Sequence, residues 1–182
     1  AIAIKSGRDN DGWRINRPSR NIVIRNCKAE LTLHGVAIGS ELSGGVENVY
    51  IQNFSIKKVD AFALQFKSNQ DRGGYIRNVH IDGMNIGSTN TTIYFTNDYH
   101  GYSGGNSPTS FENISIKNLT CNNVTNMGID MVGLENKPIK NIQFENVIIN
   151  KTAKGNQVLN VEGVSLRNVS IDQKQIKSIE DF

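Results

Sequence analysis

The chain has 182 residues, enough for one domain with a real core, and its 2 cysteines, 3 prolines and 17 glycines exclude a disulfide framework and a low-complexity chain. Its 22 Ile and 13 Val against 8 Leu and 7 Ala exclude a helical domain, because β-branched side chains favour extended backbone. A net charge of +3 is too mild for the dense basic stripe that nucleic acid requires, while an acidic polysaccharide needs only a few well-placed cations.

No apolar run approaches the ~18 residues that cross a bilayer, and no charged-then-apolar leader is present, so the sequence reads as a soluble, processed or excised chain. The first element is AIAIKS from Ala1, an alternating strand. A turn-rich stretch follows, in which Asp9 and Asp11 suit turns and Trp13 packs a loop. NIVIRNCKA from Asn21 predicts the next strand and GVAIGS from Gly35 another. The same pair of patterns then returns as NVYIQNFSI and FALQFKS, as NVHIDGMNI and TTIYFTN, as NISIKNLTC and GIDMVG, and as NIQFENVII and QVLNVEG. GVSLRNVSI from Gly163 closes the series, and the longest irregular stretch is DYHGYSGGNSPTS, from Asp98 to Ser110.

The first pattern recurs at intervals of 27, 30, 35, 28 and 22 residues, so one structural unit carries loops of variable length. Two or three short strands per unit predict an all-β, right-handed, single-stranded parallel β-helix of about six coils, a single domain over residues 1–182. A sandwich would not repeat Asn at a bend, and propeller blades usually need four strands in ~40 to 50 residues. Asn26, Asn53, Asn118, Asn146 and Asn168 share the sixth motif position, where Asn tolerates a left-handed bend and its amide can bond the Asn of the next coil. Gly83 makes the bend without the bond. Cys27 and Cys121 fall on inward positions three coils apart, ~14 Å at ~4.8 Å per coil, too far for a disulfide. Sequons such as Asn53-Phe54-Ser55 arise from the repeat itself and carry little weight for glycosylation.

Aligning the second segments on their inward pairs sets Ala3, Ala37, Gln65 and Tyr94 in one outward row and Lys5, Gly39, Lys67 and Thr96 in the next. Lys5 and Lys67 then share a face, with small residues between them, as a groove with cationic walls would require. His34 stands beside whatever precedes Ala1 on the neighbouring coil; the register leaves a catalytic and a turn role both open. Tyr99 and Tyr102 sit on the long loop, where an aromatic ring can stack on a sugar, and Tyr94 on the outward row is the stronger candidate. His80 faces outward with no partner legible.

AIAIKSGRDNDGWRINRPSRNIVIRNC, then HGVAIGSELSGGVENVYIQN, then FKSNQDRGG, resembles the C-terminal part of family 28 glycoside hydrolases, the polygalacturonases and their pectin-degrading relatives. The resemblance is strong over residues 1–90 and is repeat-like beyond. It implies inverting hydrolysis, in which one carboxylic acid protonates the leaving oxygen and a second carboxylate activates water across a ~6.5 to 9.5 Å gap. It implies no metal or organic cofactor. In the family the acids come from an Asn-Thr-Asp motif and an Asp-Asp pair immediately before a segment like AIAIKSG, so both would lie upstream of Ala1, in coils missing from this chain. The Gly-His-Gly motif is matched by Leu33-His34-Gly35, which implies that His34 tunes those acids. The Arg-Ile-Lys motif is matched by Gln65-Phe66-Lys67, which keeps the cation of Lys67 and loses the planar guanidinium clamp.

The resemblance also implies that Lys5, Arg8 and Glu41 line the cleft, although each serves equally as a solvated surface charge. Asp9, Asp11 and Asp71 are weak candidates for replacement acids. The expected partner is an acidic plant polysaccharide (pectin, galacturonan or rhamnogalacturonan) in a secreted or periplasmic setting, with no nucleic acid and no membrane involved. The rival reading is a non-catalytic carbohydrate-binding or adhesive β-helix, favoured by Leu33 and Gln65. A calcium-dependent lyase would need an acidic cluster and an arginine base, and the sequence offers neither. An uncapped first coil would also expose a strand edge open to self-association.

Overall fold

The computed structural model describes residues 1–182. It is a parallel β-helix in which two columns of strands stack through six coils. The first column runs through the opening part of β2 (Ser19–Gly39), that of β3 (Val46–Lys67), β4 (Tyr75–Ser88), β6 (Ser110–Cys121), β9 (Ile139–Ile149) and β12 (Val161–Ile171). The second runs through β1 (Ile2–Ile4), the closing parts of β2 and β3, β5 (Thr91–Thr96), β8 (Ile129–Val132) and β11 (Gln157–Leu159). Short β7 (Val124–Met127) and β10 (Thr152–Lys154) form a third, two-stranded contact. All of these pairings are parallel; only β13 (Lys174–Ile176) folds back antiparallel on β12, where it closes the last coil.

The inward positions stack like on like. Ile24, Ile51, Ile81 and Ile116 form one column, and Val36, Leu64, Ile93 and Ile129 another. Phe66 and Phe95 lie face to face at 4.2 Å, with Phe111 edge-on to Phe95. Thirty-seven buried residues make one continuous core, each large side chain worth ~1.5 to 3 kcal/mol of transfer free energy. Both cysteines are free and face inward; Cys121 is fully buried, Cys27 only partly, because it lies on the first coil. Along its N-terminal side β2 is paired only at Val36–Ile38, and Val23, Leu31 and Leu33 are exposed on that coil.

Asparagine bends the strands at two positions of the repeat, one more than the sequence reading assigned. At the sixth position Asn26, Asn53, Asn118, Asn146 and Asn168 all have φ between 52° and 55°. At the first position Asn21, Asn48, Asn78, Asn113 and Asn141 have φ between 54° and 58°. Each first-position amide donates to the Asn Oδ1 of the preceding coil at 3.0–3.3 Å, an unbroken ladder from Asn141 to Asn21. The sixth-position ladder is interrupted at Gly83, and there Asn118 Nδ2 donates instead to Asp82 Oδ1 at 2.6 Å. The residue beside the glycine thus supplies the acceptor that the glycine lacks.

One element was not expected. Residues Asp9–Ile15 form a short helix, α1, ended by Asn16 in the left-handed region at φ 47°. No helix of the structure is long and apolar enough to cross a membrane.

Candidate active site

The sequence candidates lie on the second column, whose outward residues differ from coil to coil. Register pairs Ala3 with Ala37, Ala37 with Gln65, Gln65 with Tyr94, Tyr94 with Asp130 and Asp130 with Gln157. Two residues further along, Gly39 pairs with Lys67 and Lys67 with Thr96. Lys5 follows Ile4, which pairs with Ile38, so it extends the row of Gly39 and Lys67. Its ammonium is neutralised by Glu41 at 3.1 Å, which joins two of the sequence candidates to each other.

The face is more covered than a cationic groove would be. Gln65 points outward yet is 1% exposed, and Lys67 is 9% exposed. The cover over Lys67 comes from the long loop: Tyr99 lays its ring 4.3 Å from the ammonium and accepts a hydrogen bond from it at 3.2 Å through the phenol oxygen. The Tyr99 amide donates to the Ser68 carbonyl at 2.9 Å, fixing the loop at its start. Asp71 fixes it further on, accepting the amides of Ser103 at 2.6 Å and Gly105 at 2.7 Å. Tyr102, by contrast, turns its hydroxyl to the Gly105 carbonyl and stays exposed.

His34 sits at an irregularity of the register. Thr32 pairs with Val59, but His34 pairs with Phe62, so β3 carries one extra residue there. Bulges of this kind re-aim side chains. The His34 ring lies parallel to that of Phe62 at 5.8 Å, and Phe62 in turn stacks on Tyr94 at 4.2 Å, a column of three aromatic rings climbing three coils. Its Nδ1 is buried and unpartnered. Burial, then the Lys67 ammonium and the chain's amino terminus, push the imidazole below its ordinary pKa and keep it neutral near pH 7. The Ala1 amino group touches the His34 carbonyl and donates to Thr32 Oγ1 at 2.6 Å, so the position preceding Ala1 borders His34.

Of the three weak candidates for acids, Asp9 and Asp71 are engaged in holding loops and Asp11 is not. Burial raises the Asp9 pKa, but the guanidinium groups of Arg72 and Arg8 outweigh it and hold the carboxyl below its usual value. Arg8 reaches Asp9 through Nε at 3.2 Å, and the buried Arg72 pairs with the other oxygen. Asp11 makes an exposed pair with Arg14 at 3.6 Å. Trp13 donates its indole N–H to the Arg72 carbonyl at 3.0 Å, which docks α1 on the loop after β3. His80 does have a partner: it stacks on Tyr50 at 5.2 Å, on the first column and away from this face.

Sequence reasoning missed Phe62, whose outward aspect the bulge creates, and Asp130, whose segment GIDMVG carries no motif. Tyr99 was seen as a loop aromatic, but nothing in the loop's composition ties it to Lys67. The structure thus joins His34, Lys67 and Tyr94 to Phe62 and Tyr99, and sets Arg8 apart, in the α1 contact with Asp9 and Arg72.

A sequence profile of Glycosyl hydrolases family 28 matches residues 1–174. A probable polygalacturonase of Vitis vinifera is 27% identical over 173 residues, covering 90% of this chain and 35% of that protein. A polygalacturonase of Ralstonia solanacearum is 33% identical over 87 residues, 46% of this chain and 16% of its own length. The crystal structure of a hyperthermoactive exopolygalacturonase from Thermotoga maritima superposes with a TM-score of 0.76 at 30% identity, over 92% of this chain and 38% of that one. The chain spans about a third of the length of the grape relative.

Proposed function

Since the chain belongs to glycosyl hydrolases family 28, we propose that it forms the His34–Lys67 wall of a pectin-hydrolysing cleft whose acids stand upstream of Ala1. The observation that carries this reading is the contact of the Ala1 amino group with the His34 carbonyl: it sets the position just before Ala1 beside His34, whose neutral imidazole is half-buried, one coil away. An Asp-Asp pair there would have His34 at its side, and a hydrogen bond from the imidazole would tune its protonation. Lys67 supplies the cation for an anionic sugar. Tyr99 now occupies that cation, and a substrate carboxylate would replace the phenol as its partner. Tyr94, backed by Phe62 at 4.2 Å, offers a ring for sugar contact, while Lys5 and Glu41 mark the near end of the wall.

The 182 residues contain neither an Asn-Thr-Asp nor an Asp-Asp sequence; by themselves they bind pectic chains and do not cleave them. The substrate is an acidic plant polysaccharide, and the site of action is outside the cytoplasm, where that polymer occurs. The rival reading, a carbohydrate-binding β-helix without catalysis, is favoured by one observation: Gln65 is neutral and buried where the family motif has a guanidinium.

Reducing-sugar release from a panel of pectic polymers, by the chain extended with the coding sequence in frame before Ala1, tests both. Hydrolysis is expected, with Lys67→Ala lowering kcat/KM on the acidic polymers on the order of 10- to 100-fold, the worth of one charge-assisted hydrogen bond. An extended chain that binds these polymers and releases no sugar ends would replace this reading with its rival.

A further inference from the structure

The outward face of the second column changes character along the helix axis. Its cations, Lys5 and Lys67, belong to the first three coils. From the fourth coil onward the same two rows hold Tyr94, Thr96, Asp130, Val132, Gln157 and Leu159, and no cation. Asp130 is the unusual member. It is half-buried between Tyr94 and Gln157, and its carboxylate makes no ion pair and no side-chain hydrogen bond. Other carboxylates around the molecule have clear employment: Glu41 with Lys5, Glu47 with Arg77, Asp82 with Asn118, Glu145 with Lys117. A partly desolvated carboxylate without a partner costs stability unless something else requires it. Burial alone raises its pKa, with no neighbouring cation to oppose the shift.

Asp130 lies two coils and two residues from Lys67, ~12 Å at the spacings of a β-sheet, which is more than one pyranose away along the axis. A polysaccharide held by its carboxylate at Lys67 and running toward the later coils would set a further sugar over Asp130. A uronic acid there meets a like charge in a partly dry site, whereas a neutral sugar meets a hydrogen-bond acceptor beside the Tyr94 ring.

We propose that Asp130 is a specificity-determining residue: it excludes a carboxylated sugar from the position beyond Lys67, so that the cleft takes a pectic chain in which uronic acid and neutral sugar both occur rather than an unbroken run of galacturonate. This rests on the reading of the face as a pectin cleft and deepens it by naming the substrate class. Repulsion of the wrong sugar achieves this as effectively as attraction of the right one.

The test is calorimetric affinity for two probes of equal length, a galacturonate oligomer and a rhamnogalacturonan fragment of alternating galacturonate and rhamnose, in wild type, Asp130→Asn and Lys67→Ala. Wild type is expected to favour the mixed oligomer. Asp130→Asn should strengthen galacturonate binding about tenfold or more and leave the mixed oligomer within about twofold. The readout is the ratio of the two affinities, which a misfolded fraction of the variant does not move. An unchanged ratio in Asp130→Asn, with binding of both probes still dependent on Lys67, overturns the role of Asp130 alone. Absence of binding to either probe in wild type overturns the cleft reading and this inference with it.

Discussion

The two strand columns are made from the same repeat unit, yet the bends of the first are monotonous and the outward row of the second is varied. The bends of the first column carry Asn in nearly every coil, each handing its amide to the coil before it. The outward row of the second reads Ala, Ala, Gln, Tyr, Asp, Gln, with a bulge and an aromatic stack beside it. A position that must satisfy the same backbone geometry in every coil converges on one residue. Where each coil meets a different part of a ligand, the positions diverge. Repetition therefore marks what holds the helix together.

The contrast predicts that single changes in the monotonous column cost stability most. Asn48 has φ 55°, donates to Asn21 and accepts from Asn78, both at 3.2 Å. Asn48→Ala puts an ordinary side chain in the left-handed region, ~1 to 2 kcal/mol, and removes two ladder bonds at ~1 kcal/mol net each, for a loss of about 3–4 kcal/mol. Asn48→Gly keeps the bend, loses the same bonds and adds freedom to the unfolded chain at a cost of ~0.5 to 1 kcal/mol, so its loss should be smaller than that of the alanine variant by up to about 1 kcal/mol. Urea melts of the two check this; equal losses would mean that the bend costs alanine no more than the chain freedom that glycine adds.

The second column should respond to pH where the first does not. His34 has its pKa lowered in the folded chain, chiefly by burial and then by Lys67 and the amino terminus. As pH falls through the ordinary histidine value of ~6.5, the unfolded chain takes up the proton before the folded one does, so stability decreases until the folded imidazole also protonates. The carboxyls of Asp9, Glu47, Glu180 and Asp181 are lowered from ordinary values of 3.8 and 4.5, so they do not titrate in that window. Burial raises Asp130 from 3.8, which opposes the drop, and lowers the amino terminus from 8.0, which adds to it, and His34→Gln leaves both in place. Melts at pH 7.5 and 5.5 should show a drop in wild type that His34→Gln reduces. Asn ladder variants should keep the full drop, and a drop unchanged in His34→Gln would assign it elsewhere.

What the sequence revealed follows the same division. The repeat, the parallel stacking, the inward cysteines and the outward rows were legible, since alternation fixes which way a side chain points and a fixed interval fixes which coil it meets. The first-position Asn ladder was equally present in the motif and went unassigned, although it uses the same residue and the same bend. What periodicity cannot supply is what lies over an outward residue. Gln65 points out and is buried; Lys67 points out and is covered by Tyr99 from a loop 13 residues long with no period. The helix α1 was invisible because its seven residues, DNDGWRI, hold a glycine, two turn-forming aspartates and no apolar stripe; it is held by the Trp13 and Asp9 contacts to the Arg72 loop.

Gly83 is where the monotonous column departs from its own rule, and it provides the finest test. A Cβ there would come within 2.9 Å of the Asn53 side-chain oxygen, which is the free end of a flexible side chain and can rotate away. The backbone at φ 80° lies in the region that Asn already occupies in the other coils. Asn at this position could take up the amide bond to Asn53 and offer Asn118 its usual acceptor, but Asn118 already holds the carboxylate of Asp82 at 2.6 Å. The gain is therefore confined to one new bond and the reduced freedom of the unfolded chain, so Gly83→Asn should stabilise by no more than about 1 kcal/mol. In Asp82→Ala, where Asn118 has lost its acceptor, the same Gly83→Asn change should stabilise more. A double-mutant cycle in urea reads that difference directly, and additivity between the two sites would show that Asp82 does not stand in for the missing rung.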